Sequence, residues 1–309
     1  MLAAPDSVTW ARTEELFVAA LDVPSAERGA WLDRHCAGQA GLRRWVDVLL
    51  EADQGSLPEH RIGSYRLVRE AGRGGMGTVF QAIAPGRQTV AIKIVNDRVP
   101  SDAVQHRFRQ ESRILSRLQH PNIVRLIDDA TTSAERPYFV MEYVDGVSLT
   151  QFLRERAPDI SVRVRLFLEI CEAVRHVHAI GVIHRDLKPA NILVTREGCP
   201  TLLDFGIATW IDGPHTTGRQ GGRFVGSPLT PDYASPEQWH RLQVTTKTDI
   251  YALGAILRDT LTPAIPRGAL AAIISKAMDR SPHRRYPSIG DMADDVTASA
   301  RRLRLSDHC

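Results

Sequence analysis

Apolar residues recur at helical spacing through the first fifty positions: Trp10, Leu16, Phe17, Ala20 and Leu21, then Trp31 and Leu32, then Leu42, Trp45, Val46, Leu49 and Leu50. That period predicts three short helices within residues 1–55, with Pro24 and Ser25 marking one start and Gly38 and Gly41 a later break. Turn formers and polar residues then take over in ADQGSLPEHRIGS, so a linker is placed at 56–64. From Tyr65 the pattern changes to short β-branched runs, YRLVREA, GTVFQAI and TVAIKIV, bounded by Gly, Pro or polar residues, as in an antiparallel sheet. A helix is predicted from about Ala103 to Leu118, followed by strands at IVRLID and YFVMEYV. From Val162 helical stretches dominate, interrupted by strand-like pieces at ILVT and TLLDF. A small sheet lobe at about 65–144 followed by a larger helical lobe at 145–305 makes the fold class α+β.

Composition narrows the function classes. With 309 residues, 43% apolar and 24% charged, the chain can build one large or two moderate cores. Its 39 basic and 36 acidic residues are mixed along the sequence, and a net charge of +3 gives no field that would argue for nucleic acid. Cys36, Cys171, Cys199 and Cys309 lie far apart without a CxxC pair, as expected of free thiols in a reducing compartment, so the cytoplasm is the expected location. No stretch approaches the roughly 20 apolar residues that cross a bilayer, and the N-terminus lacks a basic region followed by an apolar signal core. Neither a membrane span nor secretion is expected. The basic tail ARRLRL reads as the solvated side of a terminal helix.

Candidate chemistry begins in GRGGMGTVF, where Gly72, Gly74 and Gly77, with Arg73, Gly75 and Met76 between them, form a glycine-rich turn joining two predicted strands. Absent side chains let backbone amides approach phosphate oxygens. By itself such a hairpin is also an ordinary turn. A dinucleotide fold would need a helix directly after the glycines, whereas Thr78, Val79 and Phe80 continue as strand. Lys93 in VAIK lies mid-strand among apolar residues, where a charge requires a partner. Glu111 is a suitable carboxylate, on a helix whose Phe108, Ile114, Leu115 and Leu118 face inward. In VIHRDLKPANILV, a His-Arg-Asp turn is followed by a lysine and an asparagine at fixed offsets, a set able to serve base, phosphate and metal. His176, His178 and His184 invite a zinc reading, but no cysteine or carboxylate completes a tetrahedral set at suitable spacing.

Joined in chain order with DFG and SPE, these segments resemble the protein kinase superfamily from about Tyr65 to Val296. The nearest resemblance is to bacterial, eukaryotic-like (Hanks-type) serine/threonine kinases with a short helical preface. That resemblance implies a two-lobed kinase fold at 65–305. It implies that Asp186 orients a substrate hydroxyl and accepts its proton, and that Lys188 meets the γ-phosphate. Lys93, paired with Glu111, would grip the α- and β-phosphates of ATP, and Asn191 with Asp204 would hold Mg2+ (or Mn2+). The nucleotide-binding set would comprise Gly72, Arg73, Gly74, Gly75, Met76, Gly77, Val79, Ala91, Met141, Glu142, Val144 and Leu193. Met141 would be the gatekeeper, with the backbone of Glu142, Tyr143 and Val144 as the adenine-binding hinge. Leu115, Leu126, Phe205 and His184 match a stacked apolar spine, which makes His184 a packing residue. Glu237 is expected to pair with Arg285, and Asp249 to anchor the catalytic loop.

The same resemblance implies a protein substrate with a Ser or Thr acceptor, the chain itself included, since Thr230 stands where serine/threonine kinases carry threonine. Arg185 would meet a phosphate on Thr216, Thr217 or Ser227. One departure stands out: only TPAIPRG separates two helices, at about 261–269, where the family has a few tens of residues. A pseudokinase scaffold usually lacks the lysine, the catalytic aspartate or the metal aspartate, and none is missing here. A small-molecule kinase is disfavoured by HRDLKPAN followed by SPE and Arg285.

Overall fold

The computed structural model describes residues 12, 16, 19–20, 23, 25–36, 39, 41–43, 46–47, 61–73, 77–95, 102–131, 137–205, 208–210, 231–240, 242–262 and 268–302. Gly74, Gly75 and Met76, the expected phosphoacceptors Thr216, Thr217 and Ser227, Thr230, and most of the short TPAIPRG connector lie outside the described residues. The chain divides into two compact units, Met1–Leu67 and Val68–Cys309.

In the first unit, helix α1 (Ser25–His35) opens with Glu27 in its first turn and closes with Arg34 and His35, the polarity a helix dipole favours. Its Leu32 packs with Cys36, Leu16, Ala20, Leu42 and Val46 into a small core of its own. Residues 12, 16, 19–20, 41–43 and 46–47 are also helical, in agreement with the apolar period of the sequence. Arg43 ties this unit together by pairing with Asp47 at 3.0 Å and with Asp33.

Strand β1 (Arg61–Ile62) turns into β2 (Tyr65–Arg73) at the end of this unit. The sheet continues through β3 (Gly77–Ile83), β4 (Thr89–Val95), β5 (Leu126–Thr131) and β6 (Pro137–Glu142), in the order β1-β2-β3-β4-β6-β5. β4 is interior and buried along nearly its whole length, which is why it reads as a continuous apolar run broken only by Lys93. Gly77 opens β3 opposite Val95, and a Cβ there would come within 2.5 Å of the Ile94 carbonyl oxygen. No larger residue fits at that turn. Helix α2 (Asp102–Leu115) packs Phe108, Ile114 and Leu115 inward, and Ser112 donates to Asp129 on β5 at 2.6 Å.

The fifth strand departs from expectation. The run beginning at Ile123 is not yet sheet, because Val124 N–H donates to the Leu202 carbonyl and Leu202 N–H to that of Asn122. Ile123 forms an isolated bridge to Leu202, and pairing with β6 starts only at Leu126. The apolar run therefore serves two neighbours in succession.

After β7 (Gly146–Ser148), the chain enters α3 (Leu149–Arg156), an element not anticipated ahead of Val162. Ser148 caps it by accepting from Gln151 N–H. Helix α4 (Ile160–Ala179) starts with Asp159 accepting from Val162 N–H at 3.0 Å and buries Val164, Phe167, Cys171, Val174 and Val177 at helical spacing. Short strands follow: β8 (Val182–Ile183), β9 (Ile192–Thr195), β10 (Pro200–Leu202) and β11 (Thr209–Trp210). β10-β9-β7 form one small sheet and β11-β8 another. Helix α5 (Pro236–Trp239) precedes α6 (Thr246–Leu261), most of whose residues are buried, including the run Ala252–Leu257. Helices α7 (Ala269–Ala277) and α8 (Ile289–Arg302) complete it.

Candidate active site

Lys93 lies on β4 opposite Val79 on β3 and Phe139 on β6, so its side chain must leave the sheet through an apolar layer. Its ammonium reaches Glu111 Oε1 on α2 at 2.7 Å and Asp204 Oδ1 at 2.9 Å. Burial opposes the charge on Lys93, but the two carboxylates outweigh it and hold the ammonium above its ordinary pKa. Burial pushes the Glu111 carboxyl up, and the Lys93 charge opposes that rise. The three residues thus form an ion cluster, buried at Lys93 and Glu111 and partly exposed at Asp204, that joins the sheet, α2 and the segment after β10. Asp204 has φ +52°, a left-handed backbone rarely held by a residue other than glycine.

The loop from His184 to Asn191 is held from beneath by Asp249 on α6. That carboxylate has no exposed surface and accepts from His184 N–H and Arg185 N–H at 2.8 Å each, with His178 Nε2 also at 2.8 Å. Burial alone would raise its pKa, but the bond to His178 and the backbone donors bring it below the ordinary carboxylate value. His184 is fully buried and burial depresses its pKa, so it is neutral at pH 7. Its Nδ1 accepts from Asp186 N–H at 3.4 Å and its ring lies 4.7 Å from Phe205.

On this base stands the Asp186 carboxylate. Lys188 Nζ approaches its two oxygens at 3.0 and 2.8 Å. Asn191 Nδ2 donates to the Asp186 carbonyl at 2.9 Å and to Oδ2 at 3.1 Å. With its amide hydrogens directed to Asp186, Asn191 presents its carbonyl oxygen as an acceptor, and Asp204 supplies a carboxylate. Oxygen donors of this kind suit a hard divalent cation rather than a soft one.

Comparison with known proteins places this geometry. Residues 65–295 match the protein kinase domain. The chain belongs to the protein kinase family. Among curated relatives, the probable serine/threonine-protein kinase PknB of Lactococcus lactis is 33% identical over 268 residues, covering 76% of this chain and 42% of that protein. The serine/threonine-protein kinase PkaA of Streptomyces coelicolor is 38% identical over 246 residues, 74% of this chain and 44% of its own length. PknE of Mycobacterium tuberculosis is 34% identical over 295 residues, 85% of this chain and half of the relative. The chain thus spans half or less of the length of these relatives, which are bacterial serine/threonine kinases. Kinases of this family use ATP and a divalent metal.

The kinase lobes bring several sequence-predicted residues together. Ala91 pairs directly with Met141 across β4 and β6, and Val79 pairs with Lys93. Glu142 ends β6, and Tyr143 and Val144 follow it as non-strand backbone beside the core. Leu193 lies on β9 and is half-buried. Gly72 and Arg73 end β2 in exposed positions, and Arg73 pairs with Glu70 at 2.8 Å. Leu115, Phe205 and His184 are buried and Leu126 packs against the same core. Glu237 pairs with Arg285 through two contacts of 2.7 and 2.8 Å, and Thr248 Oγ1 adds a third bond to the same carboxylate.

Sequence reasoning missed three contacts that organise the kinase site. His178 joins Asp249, Gln110 Nε2 on α2 donates to the Ala208 carbonyl at 2.9 Å, and Gln238 Nε2 on α5 donates to the Arg185 carbonyl at 2.8 Å. Only the last carries a local signal, the S-x-x-Q spacing from Ser235 to Gln238 that marks a helix start. The other two link residues 71 and 98 positions apart, beyond the reach of any local pattern.

Proposed function

We propose that this chain transfers the γ-phosphoryl group of ATP to serine or threonine hydroxyls of protein substrates, itself included, and works in the cytoplasm. The observation that carries the reading is the pair of clusters on either side of the site: Lys93 with Glu111 and Asp204, and Asp186 with Lys188 and Asn191. Together they supply cationic and carboxylate groups for an in-line displacement, in which placement and charge neutralisation outweigh covalent help.

In this reading Asp186 accepts a hydrogen bond from the acceptor hydroxyl, orients it and takes its proton as the oxygen–phosphorus bond forms and the bond to ADP breaks. Lys188 neutralises charge on the transferred phosphoryl group, and Lys93 holds the α- and β-phosphates. Gly77 itself lies close to the strand carrying Lys93, and in this reading Val79, Ala91, Met141 and Leu193 enclose the base against Glu142 and Val144. Bound Mg2+, held by Asn191 and Asp204, would supply charge neutralisation between the phosphates. The kinase domain is assigned to 65–305 and the helical segment to 1–55, joined by the linker at 56–64.

The test is transfer of label from γ-labelled ATP to the purified chain and to added protein acceptors. Incorporation on Ser or Thr that disappears in Asp186→Asn, with the variant still folded, is the expected result. Equal incorporation in that variant rejects the assignment.

A further inference from the structure

One side chain connects the Ser235–Pro236–Glu237 segment directly to the backbone next to Asp186. Gln238 Oε1 accepts from Ser235 N–H at 3.0 Å and from its hydroxyl at 3.2 Å, while Nε2 donates to the Arg185 carbonyl at 2.8 Å. That carbonyl and the N–H of Asp186 belong to one planar peptide unit, so fixing the oxygen fixes the orientation in which the chain enters Asp186. The preceding peptide is held as well, because Arg185 N–H donates to Asp249 at 2.8 Å. Arg185 itself has φ +70°, a left-handed conformation that costs a side-chain-bearing residue energy and persists where the surroundings impose it. Asp249 from α6 and Gln238 from α5 both grip its backbone.

We propose that Gln238 is a positioning residue that couples the seating of the Ser235–Glu237 segment to the orientation of Asp186. The inference rests on the reading of Asp186 as the hydroxyl-orienting base. Its chemistry separates cleanly into two halves: the bonds to Ser235 use only the amide oxygen, and the bond to Arg185 uses only the amide nitrogen. Gln238→Glu retains an acceptor at the position where helix starts favour Glu or Gln, but removes the donor and sets a carboxylate oxygen against the Arg185 carbonyl. Ser235→Ala does the reverse, deleting the hydroxyl contact and keeping the link to Arg185.

The experiment compares the full chain with these two variants in steady-state phosphate transfer, thermal melting and amide hydrogen exchange. In Gln238→Glu, kcat should fall about tenfold, the value of one hydrogen bond. KM for ATP should stay at the wild-type level, and the melting temperature should fall by only the few degrees that one lost hydrogen bond costs, leaving the variant fully folded at the assay temperature. Amides of residues 183–190 should exchange faster. Ser235→Ala should keep its kcat and its exchange in that loop. A purely structural role predicts that Gln238→Glu behaves as wild type, or that kcat falls only in step with melting temperature. Either result overturns the proposal, as does an equal loss of kcat in Ser235→Ala. A wild-type chain that transfers no phosphate rejects the proposed function instead. In that case the exchange comparison still decides the link, and unchanged protection at 183–190 in Gln238→Glu overturns it.

Discussion

Lys93 is a charge with almost no contact with water, and its stability depends on its partners. Glu111 on the other side of the 2.7 Å contact is only 1% exposed, so removing Lys93 strands it as an uncompensated buried ion, whereas Lys93 without Glu111 keeps Asp204 at 2.9 Å. Lys93→Met is expected to destabilise the fold by about 3–5 kcal/mol, and Glu111→Gln by less, because Asp204 still pairs with the ammonium. The double variant should lose clearly less than the sum of the two, because neither charge is then left alone. Urea unfolding of the four proteins measures this; additive losses would mean that the pair is solvated after all. Loss of transfer in Lys93 variants is therefore to be judged only beside such a stability measurement.

At the scale of elements, α6 is the part on which the larger lobe is assembled. It presents Asp249 to the loop from His184 to Asn191 and packs closely on α7, where a Cβ at Gly254 would lie 2.8 Å from both Ala277 Cβ and Met278 Cγ. Gly254→Ala should push the helices apart and destabilise by about 1–3 kcal/mol, against the small gain that alanine brings to an isolated helix. A rise in melting temperature would show that the contact yields freely. The C-terminal end of α6 is closed by a side chain from α4: Arg163 donates to the carbonyls of Thr260 at 2.7 Å and Thr262 at 2.9 Å, and its Nε to that of Pro158 at 2.7 Å. Arg163→Ala removes donors from carbonyls that the helix cannot satisfy itself. Faster amide exchange confined to the end of α6 and the start of α4, with a loss of about 1–3 kcal/mol, is the expected outcome.

For the whole molecule, the response to acid follows from two buried carboxylates in the larger lobe. Asp249 and Glu237 are each subject to a rise from burial that hydrogen bonding overturns, to His178 and backbone N–H groups for the first and to Arg285 for the second. Both therefore stay below their ordinary values. A carboxylate with a depressed folded pKa contributes stability above its unfolded value and loses it as pH falls through the folded one. Through these two groups the urea midpoint should drop as pH falls below about 4, with a shallower drop in Glu237→Gln. A midpoint independent of pH down to 3 would contradict this. The connection from α6 to α7 bears on recognition, since it runs only from Leu261 to Ala269. With the usual lower-lobe insertion cut back, self-phosphorylation should exceed phosphorylation of casein or myelin basic protein. Brisk modification of either generic acceptor by the intact chain would remove that expectation. Removing residues 1–60 asks whether the helical segment substitutes for the missing surface.

How much was legible without coordinates depends on the range of the interaction that decides each feature. Strands β3 and β4 were read to the residue from β-branched runs, and the period of Phe108, Ile114 and Leu115 located α2, because burial of one face imposes its spacing on the local sequence. The motif residues were also legible, since Asp186, Lys188 and Asn191 are drawn together by a single loop. What stayed hidden were features set by distant partners. Strand β5 starts at Leu126 because Leu202 takes the backbone of Val124 first, and α3 and β7 are too short to display a period. The left-handed backbone of Arg185 and Asp204 and the bridges from His178, Gln110 and Gln238 belong to the same class. A residue type and its spacing determine which face is buried and which chemistry is available. Only the folded chain decides which carbonyl a given amide reaches, because that choice depends on segments brought together from scores of residues away.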